Sequence, residues 1–152
     1  MMRQARLSAV KHASQAVVRV ELPAPGQLGR VEAFSDLDSD GLFGGADRLL
    51  GSVPLPTGVQ FVAPPNVTGA ASIFGLSADP GGASLPRIAI FRRDGSIEDV
   101  GAFRFADTYG NFLEVRIEPA ATARLEVRKA REEGSVWNWY ASGEGDQAWE
   151  WY

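Results

Sequence analysis

The stretch from residue 86 to residue 128, PRIAIFRRDGSIEDVGAFRFADTYGNFLEVRIEPAATARLEVR, constrains this chain more than any other. It reads as four short β segments separated by turn chemistry. Ile88 and Ile90 alternate with their neighbours, and Asp94-Gly95 supplies the positive-φ pair that tight hairpins favour. Gly101-Ala-Phe-Arg-Phe alternates again, with Phe103 and Phe105 on one face. Tyr109-Gly110-Asn111 makes the next turn. In Phe112–Glu118 the residues Val115 and Ile117 alternate with Glu114, Arg116 and Glu118. Pro119, which has no N–H for a ladder, closes that strand. Leu125-Glu-Val-Arg repeats the rhythm. The expectation is an antiparallel meander, apolar inside and polar outside.

A chain of 152 residues has the length of one domain and can bury roughly 70% of its unfolded surface. A formal charge of -4 and a pI near 5.0 weigh against a nucleic-acid binder. The absence of cysteine removes disulfides, thiolate metal sites and a cysteine nucleophile, and leaves the redox compartment open. No apolar run reaches the ~18 residues of a membrane span, and Met1-Met2 leads straight into charged residues, unlike a secretory leader.

Residues 3 to 17 read as a helix. Ala9, Ala13, Ala16, Val17 and Val20 form a narrow apolar stripe, while Arg3, Arg6 and Lys11 take other faces. The only histidine, His12, lies here and reads as a solvent-facing or packed residue. Strand rhythm follows at Val17 to Leu22, Leu28 to Phe34, Arg48 to Val53 and Val59 to Val62. Residues 63 to 85 are loop-rich, with Ile73-Phe-Gly-Leu a short strand inside them. The tail holds all four tryptophans, in Trp137-Asn-Trp-Tyr140 and Trp149-Glu-Trp-Tyr152. These two pieces predict a terminal hairpin over 135–152 with a stacked indole face.

One motif carries chemistry. Asp36-x-Asp38-x-Asp40-Gly41 opens like a calcium loop. Counted from Asp36, the oxygen positions fall on Asp36, Asp38, Asp40, the backbone carbonyl of Leu42, a water near Gly44, and Asp47. Gly41 stands where the sharp turn needs glycine. Asp47 reaches less far than the usual glutamate, and the flanks read as strand rather than helix. Calcium is therefore the candidate cofactor. The same Asp-Gly composition also builds plain solvated turns, so both readings stay open at this point. No nucleophile elbow, phosphate-cradling loop or zinc motif is present. Glu98/Asp99 and Glu132/Glu133 read as surface charge, so no catalytic residue is assigned. Asn66-Val-Thr68 is a loop sequon.

The order of these pieces resembles the GspH/FimT family of pseudopilins and minor pilins. The resemblance rests on RQARLSAVKHASQAVVRVEL, the acidic segment FSDLDSDGLFGGADRLLGSVPLPTGVQF, IAIFRRDGSIEDVGAFRF and FLEVRIEPAATARLEVRK. It covers roughly residues 3 to 130. Thr122-Ala123 stands where the family carries Thr-Gly, and the Trp-rich tail lies outside the usual pattern. The family's hydrophobic N-terminal helix, with its prepilin-peptidase recognition segment, is not in this sequence, which implies a fragment. Basic candidates for contact with nucleic acid are limited to Arg92-Arg93 and Arg124/Arg128/Lys129/Arg131. The tail after Arg131 carries five acidic residues and no basic one.

The resulting expectation is an α+β fold, an N-terminal helix packed on an antiparallel β-sandwich-like head. Residues 1–18 would be the end of a stalk helix and 19–152 the head. The resemblance implies a structural, non-enzymatic subunit of a type IV pilus or type II secretion pseudopilus. Its partners would be other pilin or pseudopilin subunits and the inner membrane, with the head in the periplasm or on an extracellular filament. Nucleic acid is not an expected partner. The alternatives are a secreted calcium-dependent module that binds carbohydrate or peptide through exposed tryptophans, and a hydrolase using scattered carboxylates.

Overall fold

The computed structural model describes residues 1–21, 28–65, 73–80 and 87–141. Among these, one helix, α1 (Met2–His12), precedes ten strands. They are β1 (Gln15–Glu21), β2 (Arg30–Asp36), β3 (Arg48–Pro54), β4 (Ile73–Phe74), β5 (Ser77–Ala78), β6 (Arg87–Phe91), β7 (Gly101–Ala106), β8 (Phe112–Ile117), β9 (Leu125–Glu133) and β10 (Val136–Ala141). Two five-stranded antiparallel sheets result, ordered β3-β2-β1-β6-β5 and β10-β9-β8-β7-β4. The expected α+β class is thereby corrected. This is a β-rich fold with a single short helix, not a head hung on a long one.

The helix stops early for a local reason. Ala13 takes a left-handed φ of 52°, and the amides of Ala13 and Ser14 return to the carbonyls of Val10 and Ala9. Ala16, Val17 and Val20, expected on the helical stripe, belong to β1 instead. The run Val17-Val18 and Val20 is β-branched, and such side chains favour the pleated surface. Within β1 they alternate between two cores. Ala16, Val18 and Val20 face the main core, and Val17 faces the opposite side.

The main core lies between the sheets. Val18, Ala33, Ala89 and Phe91 of the first sheet meet Phe103 and Ile117 of the second, with Leu76 and Ile97 between them. The helix fills the remainder of the same inner face through Ala5 and Ala9, both fully buried. Small side chains let its backbone approach closely. Three polar contacts fix its position: Gln4 Nε2 donates to the Leu50 carbonyl, Arg6 Nε to the Gly95 carbonyl, and Ser8 Oγ lies 3.0 Å from Ser35 Oγ.

The meander expected from 86 to 128 holds for β7, β8 and β9, whose registers pair Phe103 with Val115 and Val115 with Val127. The segment around Ile88 and Ile90 departs from it. The Asp94-Gly95 turn forms, with Gly95 at φ 82°, but it returns the chain only as far as a Phe91–Ile97 bridge. The chain then crosses to the other sheet, and β6 pairs with β1 and β5. Val59 to Val62 likewise gives only a bridge, Gln60 to Ala106.

Val136–Ala141 pairs with β9 across a turn at Gly134; the second tryptophan piece of the expected 135–152 hairpin lies outside the described residues. The Asn66-Val-Thr68 sequon lies outside them too. Among the described residues, no helix is long and apolar enough to cross a membrane.

Candidate functional site

Strand β2 carries Asp36 to its C-terminal end, on the face of the first sheet turned away from the main core. Phe34 sits two residues earlier on that same face. There Val17, Phe34 and Ile88 form a second, smaller buried cluster. The connection from Asp36 to Arg48 folds back over it. Phe43 packs on Phe34 at 5.4 Å between ring centroids, and Gly41 (φ 76°) sits against Pro80 and Ile88. A Cβ on Gly41 would stand 2.9 Å from Pro80 Cγ, so this turn needs glycine for both backbone and space.

Within that connection Asp36, Asp38, Asp40 and Asp47 each bring one carboxylate oxygen to within 4.8 Å of the others. Backbone amides hold three of them. Asp36 Oδ2 accepts from Gly41 N–H and Asp40 Oδ1 from Leu42 N–H. Asp47 accepts from Leu37 N–H on one oxygen and Gly44 N–H on the other. Asp38 and Asp40 are exposed and Asp47 is half-buried, but Asp36 is 0% exposed. Its second oxygen, Oδ1, is buried with no hydrogen-bond partner. Burial raises the Asp36 carboxyl above its ordinary pKa, and the nearby Asp47 and Asp38 push the same way against the amides of Gly41 and Ser39. The structure thus gathers the four aspartates that the spacing selects. Leu42 enters as an amide donor to Asp40. The flanks are strands β2 and β3, so the loop lies in a strand–loop–strand setting.

The other candidates scatter. His12 is exposed at the end of α1. Asp99 accepts from Ser77 Oγ, and Glu133 accepts from Asn138 and Tyr140, while Glu98 and Glu132 are exposed. Arg128 pairs with Glu118 and Glu126 on one face of β9, whereas Lys129 points to the other, so the basic group is divided between two faces. Trp137 packs edge-on to Phe112, and Trp139 lies 5.4 Å from the Arg104 guanidinium. Both indoles are half-buried.

One feature escaped the alternation pattern. Arg104 and Glu114 stand opposite each other on the face of the second sheet expected to be solvated, yet they are 2% and 0% exposed. Arg104 Nε donates to Glu114 Oε2 at 2.8 Å. The facing Arg-Glu register was the available signal; the burial was not. Comparison with protein-family models, curated proteins and solved structures yields no match for this chain.

Proposed function

We propose that this chain is a non-catalytic structural subunit, a β-rich head that joins a filament of the type IV pilus or type II secretion pseudopilus kind through the outer face of α1. The observation that carries this reading is how the helix is mounted. Ala5, Ser8 and Ala9 are buried against the first sheet, while Leu7 (68% exposed) and Val10 (51%) remain largely open to solvent. The helix then passes through a two-residue turn into β1, the central strand of its sheet, paired on both sides by β2 and β6. Load applied along the helix therefore enters the sheet where hydrogen bonding holds the strand on both edges. A subunit held in a filament by its helix needs that connection. The described tryptophans pack against Phe112 and Arg104 and so brace the second sheet.

The absence of native cysteine makes the test clean. Leu7→Cys should cross-link to neighbouring subunits in cells making the filament, whereas Tyr109→Cys, at a loop tip 90% exposed, should not. Leu7→Asp should remove the protein from sheared filaments while leaving its circular dichroism unchanged. Absence of the unmodified protein from filaments, or equal cross-linking at both positions, would refute the proposal.

A further inference from the structure

We propose that Asp36, Asp38, Asp40 and Asp47 form a calcium site whose ion pins the 37–47 connection over the Val17/Phe34/Ile88 cluster. A group of acidic residues on a surface ordinarily signifies nothing, because exposed carboxylates are solvated. Asp36 is different. It is fully buried, its Oδ1 has no hydrogen-bond partner, and it belongs to a set of four carboxylates whose oxygens lie within 4.8 Å of one another. A buried, unpaired carboxylate oxygen beside like charges is unfavourable in its ionised form unless a cation satisfies it.

The donor set selects the ion. All four side chains offer hard oxygens, the chain has no cysteine, and His12 is not part of the group. That chemistry suits calcium or magnesium rather than zinc or copper. Calcium accepts six to eight oxygens in irregular arrangements, whereas magnesium demands near-ideal octahedral geometry and retains water. Four carboxylates on one short connection, with water and loop carbonyls completing the shell, fit the former. Leu42 occupies the position whose carbonyl the aspartate spacing assigns to that role.

The consequence reaches beyond the loop. Phe43 and Gly41 are the groups through which the connection touches Phe34, Ile88 and Pro80. An ion held between Asp36, at the end of β2, and Asp47, just before β3, ties both ends of the connection and so holds this cover in place. The inference is independent of the filament reading, since a calcium-stapled loop serves any β-rich module.

Calorimetric titration of the chelator-treated protein with calcium should show one ion bound per chain. Calcium at a hundredfold excess over Kd should raise Tm by about 5–10 °C. Magnesium should bind far more weakly. Asp38→Ala, a solvent-exposed change, should abolish both the heat and the shift. Asp36→Asn provides a readout that a merely structural role would not give. In chelator it should be at least as stable as the unmodified protein, because a buried charge is gone, and in calcium it should be the less stable of the two. No heat and no Tm shift up to about 10 mM calcium, above the range of the weakest protein calcium sites, would overturn the site. Unchanged binding by Asp36→Asn would overturn the ligand assignment, and equal affinity for magnesium the choice of ion.

Discussion

Replacing Glu114 with alanine should destabilise the protein by about 3–5 kcal/mol, because it takes away the carboxylate that faces the buried Arg104 guanidinium in the second sheet. The magnitude follows from the geometry. At 2.8 Å, with an effective dielectric of about 20, the pair attracts by about 6 kcal/mol. Burying the two charges offsets this by several kcal/mol each, so the intact pair contributes little net stability. Removing one partner abolishes the attraction and leaves the other's desolvation in place. Glu114 Oε1 makes no hydrogen bond and has Arg116 Nη1 only at 3.7 Å, so the contact with Arg104 carries the main attraction on this carboxylate. Urea denaturation followed by tryptophan emission reads the effect. With an m-value of about 2 kcal/mol/M, the midpoint should fall by about 2 M. The double variant Arg104→Met/Glu114→Leu removes both charges and retains apolar volume, so it should recover most of the loss. A single-variant loss below about 1 kcal/mol, or a double variant as unstable as the sum of the singles, would refute this account of the pair.

Two further outcomes are expected. Gly75 has φ 75°, and a Cβ there would lie 2.6 Å from the Val100 carbonyl oxygen, whereas Gly110 (φ 81°) has open space around it. Gly110→Ala should therefore cost only the left-handed backbone penalty of about 1–2 kcal/mol, and Gly75→Ala clearly more; equal losses in thermal denaturation would contradict the clash. For Glu32, burial pushes the carboxyl pKa up, but hydrogen bonds and charge from Arg19, with Arg30 and Ser52, outweigh it and leave the pKa below its ordinary value. A carboxylate so shifted stabilises the fold above its unfolded pKa of about 4.3, and that contribution disappears as the pH falls through the lower folded value. The stability gap between the unmodified protein and Glu32→Gln should thus be steady near neutrality and close in acid. A gap unchanged down to about pH 3 would show that Glu32 acts by packing alone.

Much of the fold is legible locally. Alternation in Gly101–Ala106 and Phe112–Ile117 fixes which side chains share a face, because successive residues on a strand point to opposite sides. The aspartate spacing from 36 to 47 marks the residues that the structure gathers, because a short connection between strands cannot separate them. The far end of the helix is ambiguous in the sequence, because alanine and valine there satisfy a 3.6-residue stripe and a two-residue alternation at once. Ala13's left-handed turn decides between them.

By itself the sequence determined the strand-forming segments, the turn at Asp94-Gly95 and the four-aspartate connection, since each depends on neighbours a few residues apart. Only tertiary structure decided that β6 leaves the meander to lie between β1 and β5, because strand partners are chosen by burial of both faces at long range. Tertiary structure alone also buried Arg104, Glu114 and Asp36. All three stand on sheet faces turned away from the main core, where alternation predicts solvent. Whether such a face meets water depends on what other segments are laid across it, and no periodicity within a strand records that.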